Sequence, residues 1–304
     1  MAQMSALSRA YAAIGTAMVA VSFASIFIYS SASPPFIIAA YRLGLTCLIL
    51  LPVMMWTRGF SHLRSMERRD LLLILASGIA LTFHFGLWIV SLSLTLISAS
   101  VILVTSHPIF VAAVQHFLLK EQVKRIAALG IGIAFSGVTI IALSDYEAGE
   151  SRLLGDLLAF LGGLCAGVYF LCGRIVRQNV EVIPYSFSVY GVASLLLFLS
   201  AFIAGDKLIV SDSREWSLFL AMAVIPTILG HTMFNYALKK LPAHIISTSV
   251  LGEPVGASLL AFLLLPGQEP GIWIIVGGAL VVLGLYVVLA RGYVEEQTVV
   301  EPST

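Results

Sequence analysis

Ten apolar stretches, each about as long as a bilayer is thick when coiled as a helix, take up most of this 304-residue chain. A spanning helix needs about 20 predominantly apolar residues. The stretches lie near 8–30, 35–57, 71–93, 97–119, 126–143, 153–173, 184–204, 216–238, 243–265 and 271–290. Lipid offers a bare backbone no hydrogen-bond partner, so each stretch must satisfy its own N–H and C=O groups. A membrane barrel would show short alternating segments instead of long continuous ones. The chain is 59% hydrophobic and 11% charged, whereas soluble domains carry roughly 25% charged residues. So little chain is left over that no soluble domain fits. The sequence predicts an all-α polytopic membrane protein of ten transmembrane helices.

Arg9, an apolar run and then Ser31-Ala32-Ser33 imitate a signal peptide. The run exceeds the usual signal core of about 7–15 residues, so this helix is expected to stay. Lysine and arginine set the orientation. Thirteen of them fall on the side of the N-terminus, and only Arg152, Lys207 and Arg214 fall on the other. Both termini are therefore expected in the cytoplasm of a bacterial-type inner membrane. The three cysteines, Cys47, Cys165 and Cys172, lie inside apolar stretches. They read as small packing residues, with neither metal-ligand spacing nor a disulfide framework.

The chain also repeats itself. His84 falls on His231 and Trp88 on Asn235, both 147 residues on; Pro108 falls on Pro254 at an offset of 146. Pro35 to Tyr41 map onto Pro184 to Tyr190. Five apolar stretches per half is an odd number, so the second half must enter the membrane inverted. The expected units are a five-helix repeat over 1–145, an inverted one over 150–292, and a polar tail over 293–304. Inverted repeats are the plan of many secondary transporters, whose site lies at the midplane where the halves meet. Gly163 and Gly167, with glycines of the fifth and tenth stretches, read as close-packing positions, between the halves or between protomers.

A proline follows a polar residue in the fourth helix of each half, at His107-Pro108 and Glu253-Pro254, with Glu121 and Glu269 in the following turns. The fifth helices are rich in glycine. With the five-plus-five layout, these features resemble the drug/metabolite transporter superfamily in its ten-helix, EamA-type form. Glu253-Pro254 sits where such repeats carry an acidic-proline pair; His107 departs from it. Within the superfamily the chain is most similar to aromatic amino-acid exporters of the YddG type. The resemblance implies a transporter, with the first four helices of each half around a central cavity and the fifth at the periphery.

Ionisable groups inside a membrane are costly and usually face a cavity or the protein interior. His84 and Trp88 are four residues apart and share a helix face, as do His231 and Asn235. His107 and Glu253 lie about ten residues into their stretches, near the midplane. Pro108 and Pro254 free a carbonyl and kink the helix, and so are gating candidates. Tyr169 is the best cavity aromatic after Trp88. The expected substrate-binding set is His84, Trp88, His107, Tyr169, His231, Asn235 and Glu253. Interhelical hydrogen bonding is the alternative for the polar members. Arg42 lies roughly 10 Å deep at 1.5 Å per residue. Its options are snorkelling to the headgroups, binding a carboxylate, or pairing with a buried acid.

Such a set supplies donors for a carboxylate and an acceptor for an ammonium. Export of amino acids, aromatic or neutral, by alternating access is the favoured function. Efflux of lipophilic cations is the alternative, since Glu253 stands among aromatics. Phosphorylated metabolites would need more buried Lys or Arg than Arg42 alone. A membrane enzyme is disfavoured, because no nucleophile–base or metal-ligand signature is present. No cofactor, metal or nucleic-acid partner is expected; the partners are a small molecule and the bilayer, with the chain a monomer or homodimer.

Overall fold

The structure, a computed structural model, describes residues 2–118, 125–146, 150–241 and 243–292. Glu121 and the tail over 293–304 lie outside them. Every regular element among the described residues is helical. The first apolar stretch forms α1 (Ala2–Val21) and α2 (Ala24–Tyr29). Next come α3 (Pro35–Trp56), the short α4 (Gly59–Arg64) and α5 (Arg68–Ser91). The fourth stretch is interrupted into α6 (Ile97–Val104) and α7 (His107–Leu118). Then follow α8 (Arg125–Tyr146), α9 (Glu150–Val176) and α10 (Val182–Ile203). The eighth begins as α11 (Ser213–Met222), widens into a π-helical segment (Ala223–Thr232) and ends as α12 (Met233–Ala237). The ninth is interrupted into α13 (Ala243–Ser249) and α14 (Gly252–Leu264), and α15 (Ile272–Gly292) is last.

Among the described residues, eight helical stretches are long and apolar enough to cross a membrane; two apolar cores, Ala128–Ile141 in α8 and Ile272–Gly284 in α15, are shorter. The chain is a polytopic membrane protein. Large apolar side chains point outward, among them Trp56, Leu195, Phe202 and Ile203. On a soluble surface that would be a severe aggregation hazard, whereas lipid accepts it.

Local chemistry sets the helix ends. Pro35 opens α3, where a missing N–H leaves no bond unmade. Gly205 closes α10 at φ +79°, and the Gly205 and Asp206 amides donate back to the Phe202 and Ala201 carbonyls. That paired closure needs a left-handed residue, which glycine supplies without Cβ strain.

The closest packing joins α5 to α9, α3 to α10, α8 to α15, and α1 to the π segment and α12. The α8–α15 contact is one of backbones: a Cβ on Gly284 would strike the Gly130 carbonyl and the Ala134 amide, and one on Gly137 the Gly277 carbonyl. These glycines join α8 to α15 within one chain. Gly163 lets α9 approach the Val104 carbonyl at the end of α6.

Two carboxylates in first turns hold loops against the helix ends. Glu215 of α11 accepts from the Ser31 and Ser33 hydroxyls and from the Ala32 amide (2.9 Å), in the loop between α2 and α3. Asp70 of α5 accepts from Asn179 Nδ2 (3.5 Å), in the loop between α9 and α10. Beside Asn179, Lys239 bridges to Glu181 and holds its carboxyl below the usual range.

Candidate functional site

The two helix interruptions face one another. Val104, Thr105 and His107 come from the first, Val250 and Glu253 from the second, and together they line one narrow cavity. His84 and Trp88 of α5, Phe170 of α9, His231 of the π segment and Phe234 of α12 also line it, with the smaller Val21, Ala24 and Ala166 between them. Its volume is about 20 Å³, room for about one water molecule. A metabolite fits this space only if the wall moves.

Each interruption falls just before its proline. His107 is the first residue of α7 and Glu253 the second of α14, so Pro108 and Pro254 both sit in first turns. The N–H that proline lacks would be unpaired there anyway. At the expected kinks the helical bonding tightens: the Ser106 and Ile109 amides donate to the Leu103 and Ser106 carbonyls, and the Leu251 and Glu253 amides to the Thr248 and Val250 carbonyls, each three residues back. Short tightened turns of this kind inside a long helix often mark a hinge.

The eighth stretch positions His231 differently. Pro226 lies inside the π segment, where an α-helix would clash with its ring. The Thr227 hydroxyl donates to the Met222 carbonyl (2.7 Å) and the Thr232 hydroxyl to the Thr227 carbonyl (3.1 Å). Both bonds span five residues, following the wider turn. Such segments often mark functional positions.

The polar wall is under-bonded. His84 Nδ1–H donates to the Gly162 carbonyl at 3.0 Å, which leaves Nε2 as an acceptor. Its ring stacks on Trp88 with centroids 5.9 Å apart and lies 6.1 Å from His231. Trp88 Nε1, His107 Nδ1 and His231 Nδ1 are buried and have no hydrogen-bond partner among the described residues. A buried polar group left unpaired costs about 1–3 kcal/mol. Three such groups surround one cavity, with the Glu253 carboxyl group beside them.

Of the residues expected at the site, the structure brings His84, Trp88, His107, His231 and Glu253 to this wall. Tyr169 and Asn235 lie behind it. The Tyr169 hydroxyl donates to Asn235 Oδ1 (2.7 Å), and Asn235 Nδ2 donates to Ser186 Oγ (3.2 Å) and Tyr190 OH (3.3 Å). Arg177 Nε donates to the Asn235 carbonyl at 2.9 Å. This network ties α9, α10 and α12 together, the interhelical bonding weighed as the alternative.

Arg42 does not snorkel. It is 0% exposed, with Nε bonded to Thr227 Oγ1 at 2.7 Å and its guanidinium carbon 4.4 Å from the Phe85 ring centroid. Sequence reasoning also passes over Phe85 and Phe234. Phe234 lies three residues after His231, on the same helical face, and that spacing is the available signal.

The EamA-like transporter family model matches twice, over residues 9–143 and 153–290. The chain is 26% identical over 256 residues to the uncharacterized transporter YyaM of Bacillus subtilis (strain 168), covering 81% of this chain and 82% of that protein. It is 27% identical over 244 residues to the threonine/homoserine exporter RhtA of Salmonella typhimurium (strain SL1344), covering 78% and 76%. A solved crystal structure at 19% identity has the same fold, with TM-score 0.69 over 93% of this chain and 97% of its own. The protein is therefore a membrane transporter, and it belongs to the EamA-like transporter family.

Proposed function

We propose that the protein exports amino acids across a bacterial-type inner membrane by alternating access between two inverted five-helix repeats, with both termini cytoplasmic. One observation carries the reading: buried, unpartnered nitrogens of Trp88, His107 and His231 surround a closed cavity that also holds Glu253. A zwitterion bonds to both kinds of group at once. Its carboxylate takes the nitrogen donors and its ammonium takes the carboxylate. The aromatic wall of Trp88, Phe170 and Phe234 accepts an aliphatic or aromatic side chain and attracts the ammonium. The similarity to RhtA, an exporter of threonine and homoserine, supports the substrate class. An aromatic substrate, as for the YddG-type exporters, is the finer version of the same proposal.

The repeat is supported by paired features. Each set of five stretches has one interruption before a proline, and the partners α3–α10 and α8–α15 are counterparts of one another. The contact of α5 with α9 has its counterpart in α1 with the π segment. A cavity too small for any amino acid fits an occluded stage of the cycle, with His84, Trp88, His107, His231 and Glu253 contacting substrate when it opens. Pro108 and Pro254 stand at the points where the gate helices divide.

Purified protein in liposomes should show saturable counterflow of labelled threonine or phenylalanine, measured with and without a pH gradient. No flux of any amino acid refutes the function. Efflux of lipophilic cations remains the second reading, favoured by Glu253 among aromatic rings.

A further inference from the structure

Arg42 is a charge without a counter-charge in contact. Its side chain is wholly buried, yet both terminal nitrogens, Nη1 and Nη2, lack a hydrogen-bond partner among the described residues. Only Nε is engaged there, by the Thr227 hydroxyl, which itself donates to the Met222 carbonyl. With Nε tied and the guanidinium beside the Phe85 ring, the plane is fixed and the terminal fork stays free. A fixed fork with two idle N–H groups is the geometry that binds a carboxylate bidentately. Burial without a partner in contact is unfavourable; the Phe85 face and the more distant Glu253 offset part of that cost, and a carboxylate on the fork would offset more.

The fork is one ring away from the cavity wall. Phe85 is T-shaped against His231 at 5.3 Å and lies 4.8 Å from His84, and both histidines line the cavity. Thr227 and His231 lie one wide turn apart in the same π segment. A shift of that segment moves the Arg42 anchor, the Phe85 neighbour and the cavity wall together.

We propose that Arg42 joins the Trp88 and histidine donors in binding the carboxylate of the transported substrate, screened by Phe85 when the cavity is small and reached when the π segment shifts. This rests on the amino-acid reading and sharpens it: the substrate class is one bearing a free carboxylate, with Glu253 left for the ammonium end. Arg42 then contributes selectivity for acids over their esters and amides, which Trp88 and the histidines alone would not supply.

The test measures binding of free threonine and phenylalanine and of their methyl esters to the purified full chain by isothermal titration, with counterflow of the labelled acids in liposomes for the wild type. The wild type should prefer the acids strongly. R42Q should weaken acid binding about 100-fold, the scale for removing one partner of a buried charge pair, and weaken ester binding far less. R42K keeps the charge but loses the fork, and should fall between. Equal loss for acid and ester, or an unchanged ratio, overturns the assignment while leaving amino-acid export standing. Absence of amino-acid flux in the wild type removes the functional reading itself.

Should R42Q not fold, the wild type decides. Phenylglyoxal modification of Arg42, followed by peptide mass spectrometry, should be slowed by the free acid and not by its ester. Equal labelling with and without acid overturns the proposal. So does a residue that is never labelled, because a group unreachable by a small dicarbonyl meets no substrate.

Discussion

Replacing Asn235 with leucine separates a structural role from a binding one. Asn235 is fully buried and its side chain makes three hydrogen bonds, to Tyr169, Ser186 and Tyr190. Leucine matches the branching of asparagine but is bulkier, so no cavity opens and overpacking adds to the loss of the bonds. Interhelical hydrogen bonds in membrane proteins average about 0.6 kcal/mol, with an upper end of about 1.7. Three such bonds put the expected loss at about 2 kcal/mol, since the Tyr169 hydroxyl is left buried without its acceptor. Y169F in the N235L background should recover part of this, about 0.6 kcal/mol or more, because the stranded hydroxyl is gone. The assay is reversible denaturation in mixed micelles for the four members of the cycle, with substrate affinity measured on each. Affinity should change less than threefold. A tenfold loss of affinity with unchanged stability would refute the structural role and place Asn235 in contact with substrate.

Three further perturbations test other contacts. G284V drives a side chain into the Gly130 carbonyl and the Ala134 amide, and should destabilise by about 1–3 kcal/mol, visible as a lower melting temperature in detergent; an unchanged melting temperature removes the α8–α15 backbone contact from the account. E253Q should abolish cation efflux outright if that is the function, but only weaken amino-acid flux, since the amide oxygen still accepts from an ammonium. The Glu181 carboxyl is held low by Lys239, so its contribution to stability is present above the ordinary carboxylate range and is lost as pH falls through the lowered value. E181Q should flatten that acid limb in denaturation curves measured across pH; an unaltered limb assigns the acid sensitivity to other groups. The pair is largely exposed, and the effect will be small.

Hydropathy carries the helices, because in lipid an apolar run of this length has no other way to satisfy its backbone. It carries the interior less well. His84, His107 and Glu253 are legible as cavity-lining residues because an ionisable group far from either membrane face is seldom tolerated without a cavity or a partner. Asn235 also lies deep in its span, yet its amide bonds to Ser186, Tyr169 and Tyr190. Whether a polar side chain faces a cavity or a neighbouring helix depends on rotation about the helix axis, and the π segment changes that rotation just before Asn235. Spacing from His231 assumes 3.6 residues per turn throughout. Pro226 is the visible sign that the assumption fails there. Arg42 escapes for a related reason: depth in a span predicts snorkelling only for a side chain facing lipid, and Thr227, its anchor, is reached across the bundle from another helix.

The two loop latches bear on how such a structure moves. Asp70 is the third residue of α5 and Glu215 the third of α11, so they are counterparts in the proposed repeat, on opposite faces of the membrane. Each grips the loop that leads into α10 or α3, respectively. The grips differ in strength. Glu215 accepts three bonds from Ser31, Ala32 and Ser33, whereas Asp70 accepts one long bond from Asn179. Hydrogen bonds to a charged carboxylate are each worth about 1.5–3 kcal/mol when well formed, so the Glu215 side is the harder to open. Of these two latches the Asp70 one is the weaker, although the Lys239–Glu181 bridge holds the same side. In the orientation expected from the basic residues that face is cytoplasmic, the face that the proposed export must open to load. Under the proposed function, substrate bound beside Thr105 and Val250 would supply what opens the Glu215 side, and the unbonded nitrogens of His107, His231 and Arg42 are the groups whose satisfaction would release that free energy.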